Sequence, residues 1–166
     1  MTRKTRIRVG LATATAVVTT LTVAGVSAAG PRHPDARPTK AEITALFEGW
    51  NAALKTGDPK KVADRYANDA VLLPTVSNKI RTSHAEIEDY FQHFLRKKPV
   101  GKKIRTIVKV LDGNSAIDTG VYQFTVVDPK TGTKRTVEAR YTYEYEKQPN
   151  GNWLIVNHHS SAMPEG

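Results

Sequence analysis

Two imidazoles side by side, His158 and His159, followed by the hydroxyls of Ser160 and Ser161, close the apolar run Trp153, Leu154, Ile155 and Val156. A histidine titrates near neutrality, so one placed beside a carboxylate such as Asp118 has the make-up of a general base, with Tyr122 available to steady an enolate oxygen. Asp118, His159 and Tyr122 are therefore the candidate catalytic residues. A second chemistry is recognition: the Arg140 guanidinium needs Glu144, Asp118 or a ligand carboxylate as partner, and Arg140, Tyr122, His159, His158 and Glu144 form the candidate ligand-binding set. Adjacent strand residues point to opposite faces, so His158 and His159 do not share one ion. One belongs in a pocket and the other at an interface or in water. No third ligand stands at a recognisable spacing, and no metal or cofactor is expected. Ser160 and Ser161 lack the sequence of a nucleophile elbow and are expected to hydrogen-bond a turn.

The elements that must position these residues fall into two blocks. Thr39 and Glu42 have the spacing of a capping box, after which Ile43, Leu46, Phe47, Trp50 and Leu54 recur on one helical face up to Gly57. Asp58-Pro59 opens a short second helix, 70–73 is a short strand stopped by Pro74, and Ser83 with Glu86 opens a third helix carrying Ile87, Tyr90, Phe91, Phe94 and Leu95. Gly101 is expected to close that block. Four strands in a meander then follow at about 103–111, 115–127, 135–147 and 152–160, punctuated by Asp112-Gly113, Asp128-Pro129 with Gly132, and Asn150-Gly151. The third of these alternates Glu138, Arg140, Thr142 and Glu144 with Ala139, Tyr141, Tyr143 and Tyr145. If the tyrosines pack outward against a second subunit, Arg140 points inward; if they form the core, Arg140 is solvated. Trp50 and Trp153 are expected in the core. Two apolar helical stripes need a sheet to cover them, which gives an α+β domain with three helices on one side of a twisted, mainly antiparallel sheet.

Arg3, Lys4, Arg6 and Arg8 precede an uncharged, moderately apolar stretch and small residues at Val26-Ser27-Ala28-Ala29, so residues 1–29 are expected to be a signal peptide cut after Ala28 or Ala29, leaving a secreted product with no stable membrane anchor. Residues 30–38, with three prolines, form a linker expected to be disordered, and 39–166 the folded domain. Removing the leader lowers the formal net charge from +9 to +5, and the remaining basic residues are scattered without aromatic interleaving, so nucleic acid is not an expected partner. The chain has no cysteine, so neither disulfides nor thiol chemistry contribute.

Trp50, Leu54 and Gly57-Asp58, then Tyr90-Phe91 with Leu95, then Glu138-Ala139-Arg140, then Gly151-Asn-Trp153 leading to His159 and Ser161, resemble in this order the nuclear-transport-factor-2-like (NTF2-like) fold, within it the SnoaL-like proteins, and most closely the association (hub) domain of calcium/calmodulin-dependent protein kinase II. The resemblance implies a cone-shaped domain without kinase activity that assembles with copies of itself and holds a small polar or carboxylate ligand. It places Arg140 on a pocket arginine of the hub and His159 on its terminal histidine, which favours the inward reading of Arg140. Tyr122 and Ser160 stand where the hub has further arginines, and Ile87 and Glu88 replace polar residues of the third helix. Two functions follow: a secreted homo-oligomeric binding and assembly module, or an acid–base isomerase, cyclase or dehydratase of the SnoaL or ketosteroid-isomerase type.

Overall fold

A computed structural model describes residues 37–164; the expected signal peptide and residues 30–36 of the linker lie outside the described residues. Helix α1 (Lys40–Thr56) begins as its sequence dictates: the Thr39 hydroxyl accepts the Glu42 N–H at 3.2 Å while the Glu42 carboxylate accepts the Thr39 N–H at 2.8 Å. Its stripe of Ile43, Phe47, Trp50 and Leu54 is buried, at about 1.5–3 kcal/mol for each large apolar side chain removed from water. Asp58 caps α2 (Pro59–Ala63) through the N–H groups of Lys60 and Lys61. In α3 (His84–Phe94) the Ser83 hydroxyl caps the start, but Glu86 reaches back to the Thr82 N–H at 3.0 Å rather than to Ser83.

The helix block ends earlier than expected. A 3₁₀ turn (Leu95–Lys97) follows α3, and Lys98 at φ 45° makes the left-handed exit. Gly101 instead lies within β2, where a Cβ would come 2.9 Å from the Phe124 ring. The missing side chain lets Asn51 bracket the strand, its Oδ1 accepting from Gly101 N at 2.9 Å and its Nδ2 donating to Gly101 O at 2.8 Å.

The five strands β1 (Tyr66–Leu73), β2 (Val100–Val110), β3 (Ser115–Val127), β4 (Lys134–Lys147) and β5 (Trp153–Ala162) form one sheet in the order β1-β5-β4-β3-β2. The last four make the expected meander, while β1 starts well before residue 70 and pairs parallel with β5. A bulge between Lys103 and Arg105 shifts the register of β2 against β3. Glycine is required opposite it, because a Cβ on Gly120 would sit 1.9 Å from the Arg105 carbonyl oxygen.

Residue alternation sorts the sheet into a helix-covered face and an open face. Ala116, Asp118, Tyr122 and Phe124 of β3, Ala139, Tyr141, Tyr143 and Tyr145 of β4, and Ile155, His158 and Ser160 of β5 are buried. The tyrosines therefore form the core. Arg140 is exposed on the opposite face, so the inward orientation favoured from the resemblance is corrected: four aromatic and small side chains fill that side of β4, and no space is left for a guanidinium.

Candidate functional site

Tyr122 and His158, on β3 and β5, meet on the helix-covered face with three groups that the sequence did not single out for a site: Trp50 of α1, Tyr66 at the start of β1, and Thr75 just after β1. The His158 ring packs 4.1 Å from the Tyr143 ring, centroid to centroid, and edge-on to Trp50 at 5.6 Å. Trp50 Nε1 donates to the Tyr66 hydroxyl at 3.0 Å, and that hydroxyl lies 2.8 Å from His158 Nδ1. On the other side, His158 Nε2 lies 3.3 Å from the Tyr122 hydroxyl, which donates to Ser160 Oγ at 2.5 Å; Ser160 Oγ in turn bonds Thr75 Oγ1.

The direction of every proton in this chain follows from its first member. An indole N–H only donates, so the Tyr66 oxygen accepts, and the phenol's own proton goes to its one remaining partner, His158 Nδ1. Burial, reinforced by the neighbouring His159, lowers the pKa of His158 from 6.5 to about 3, so the ring is neutral and Nε2 carries its proton, donating to Tyr122. Tyr122 then donates to Ser160. Between Ser160 and Thr75 one hydroxyl proton makes their mutual bond, and one is left with no acceptor among the described residues. Both side chains line a cavity, so the chain ends in a single donor facing open space.

That cavity, about 60 Å³, is several times what one water needs and well below the ~300–1,000 Å³ typical of pockets enclosing drug-sized ligands. Its walls are apolar, with Phe91 and Phe94 from α3 facing Val126 and Val137 from the sheet, and Lys97 and Arg135 bring positive charge to its edge.

Asp118 is buried in a separate cluster. Its carboxylate pairs with the Lys103 ammonium and accepts the Tyr141 hydroxyl proton at 2.9 Å, while Lys103 also lies 4.9 Å from the centre of the Phe47 ring and donates to the Thr44 carbonyl at 3.4 Å. Both carboxylate oxygens are engaged and no surface is exposed, so Asp118 sits in a buried ion pair, and neither Asp118 nor Lys103 lines the cavity. The expected pairing of a histidine with Asp118 does not form. Lys103 was detectable only through register, which sets it opposite Tyr122 on the inward side of the β2–β3 ladder.

The remaining candidates gather on the open face. Arg140, Thr142, His159 and Ser161 border a shallow groove of about 490 Å³ with Arg105, Ile107 and Thr119, and Glu144 lies one pair further along β4. Among the described residues Arg140 makes no ion pair, so neither Glu144 nor Asp118 is its partner. The candidate ligand-binding residues thus divide: Tyr122 and His158 inside, Arg140, His159 and Glu144 outside. Ser160 lies in the last strand as expected, and its hydroxyl bonds Thr75 in the turn after β1, which makes it part of the buried chain.

Solved structures place this arrangement among known proteins. A Xanthomonas campestris protein, described as a calcium/calmodulin dependent protein kinase II association domain, is 54% identical over 82% of this chain and 100% of its own, with a TM-score of 0.74. An NTF2-like superfamily protein of Salmonella enterica shares 19% identity over 75% of this chain and 91% of its own (TM-score 0.65), and a hexachlorocyclohexane dehydrochlorinase 13% over 75% and 84% (TM-score 0.63); both likenesses concern the fold alone. No curated protein matches the chain. Residues 39–164 match the calcium/calmodulin dependent protein kinase II association domain family, and with that match and the Xanthomonas likeness the chain belongs to this family, on an NTF2-like α+β fold.

Proposed function

We propose that this chain is an exported, self-associating binding module that holds a small molecule between its helices and its sheet, without kinase or acid–base chemistry. One observation carries the proposal: the polar groups of Tyr66, His158, Tyr122, Ser160 and Thr75 are joined in a directed hydrogen-bond chain that leaves one hydroxyl donor and no free base within it. A site of that kind recognises an acceptor oxygen on an otherwise apolar ligand. An isomerase, cyclase or dehydratase needs a group that takes up and returns a proton. His158 has its lone pair occupied and Asp118 is neutralised by Lys103 outside the cavity.

Self-association is supported by the family's description as an association domain and by the open sheet face, where Ile107 is 50% exposed beside Arg105, Val121, Arg140 and His159. Export is supported by the basic, then apolar, then small-residue order of residues 1–29. Native mass spectrometry of the protein purified from culture medium tests all three. The expected result is a chain beginning at residue 29 or 30, in oligomers, with one small-molecule adduct per subunit. Turnover of a β,γ-unsaturated ketone by the same preparation, with a bell-shaped pH profile, would overturn the binding reading in favour of an enzyme.

A further inference from the structure

Arg81, in the connection between β1 and α3, is a buried cation without an ion-pair partner among the described residues. Only 8% of its surface is exposed, and its backbone is held to Leu72 by paired hydrogen bonds of 2.8 and 2.9 Å, so the side chain is fixed from its root. Nη1 donates to the Lys79 carbonyl at 2.9 Å, and among the described residues Nε is enclosed with no acceptor and Nη2 makes no hydrogen bond. The guanidinium carbon lies 5.8 Å from the centre of the Tyr90 ring. The Glu86 carboxylate at the start of α3 pairs with Lys79 at 2.7 Å, not with Arg81. Enclosing a guanidinium while leaving its fork unfilled is costly, and such a fork matches a carboxylate in size and charge.

Around Arg81 lies an open hollow of about 250 Å³ that also takes in Ser77, His93 and Lys97. It shares Val76, Tyr90, Phe94 and Lys97 with the apolar cavity, so the two spaces are neighbours across the same side chains. A molecule lying across both would meet an apolar wall and a hydroxyl donor at one end and two cations at the other.

Resting on the binding reading above, we infer that the ligand is a small organic acid with an apolar body, and that Arg81, assisted by Lys97, seats its carboxylate at the mouth of the cavity. Arg81 is then the specificity-determining residue of the pocket, and Arg140 has no part in it. A neutral isostere keeps the apolar contacts and the hydroxyl bond but leaves the fork empty, so it binds more weakly.

Fluorine NMR titration of the purified protein with 4-fluorobenzoate and 4-fluorobenzamide tests this. The acid is expected to bind at least tenfold tighter than the amide, Arg81→Gln to abolish that preference, and Arg140→Gln to leave it unchanged. Because a buried arginine also packs, Arg81→Lys is measured alongside: it keeps the charge and most of the stem, loses the fork, and should retain only part of the preference. Equal binding of acid and amide by the unmodified protein overturns the inference while leaving a binding pocket in place. So does an acid preference that survives in Arg81→Gln. Binding of neither compound, nor of larger aromatic acids, removes the pocket reading and this inference with it.

Discussion

His158 and His159 are chemically identical neighbours, yet the sheet between them gives them opposite properties. His158 lies among aromatic rings, neutral and hydrogen-bonded at both nitrogens; His159 faces solvent beside Thr142 and Ser161. The same division runs along β4, where the tyrosines fill one face and Arg140 with Glu144 occupies the other. The face a side chain occupies, more than its type, decides whether it is locked into the core or available at a surface.

The largest expected break in this contrast is Asp118→Ala, which strands the Lys103 ammonium, itself 10% exposed, and the Tyr141 hydroxyl; urea unfolding should show a loss of about 3–5 kcal/mol. His158→Phe keeps the ring stacking but leaves the Tyr66 and Tyr122 hydroxyls short of a partner, at about 2–3 kcal/mol, whereas His159→Phe should stay within about 0.5 kcal/mol.

Acid sharpens the same pair. With a pKa near 6.5 unfolded and about 3 folded, His158 binds a proton in the unfolded chain that the native state refuses. Its contribution is therefore complete above 6.5 and falls as pH drops toward 3, at up to ~1.4 kcal/mol per pH unit. Chemical denaturation between pH 6.5 and 4.5 should show that slope in the unmodified protein and a much reduced one in His158→Phe, ahead of the further loss below pH 4 as Asp64, Glu86, Asp112 and Asp128, all held below their ordinary pKa, take up protons. The smallest effect tests the opposite sign. The Tyr143 hydroxyl is buried without a partner, so Tyr143→Phe should be neutral or stabilise by up to about 1 kcal/mol in the same assay.

Local signals were the legible ones. The Thr39–Glu42 box, the Asp58-Pro59 start, the Ser83 cap and the turns between the meander strands each depend on residues close in sequence, and each appears where the spacing puts it. Gly101 misled because a glycine that stops a helix and one that admits a neighbour look alike in sequence. The face of β4 was undecidable from its alternation, since tyrosine suits both a core and an interface; burial by α1 resolves it. Tyr122 and His158 were both candidates, but the histidine grouped with Tyr122 and Arg140 was His159, and the chain that joins Tyr122 to His158 runs on to Tyr66 and Thr75, at either end of a strand whose first half carries no strong strand signal. Arg81 had no signature at all: its isolation from carboxylates is a property of three-dimensional surroundings.

The parallel pairing of β1 with β5 has a consequence in time. β1 is made early, but among the described residues its strand neighbour is β5, the last strand of the sheet in sequence, which also brings His158 and Ser160. During synthesis the aromatic core therefore stays open at its centre until β5 emerges, and closing it requires contacts between distant parts of the sequence, a slow route to the native state. A polypeptide ordered this way remains threadable for longer, which suits the export proposed above.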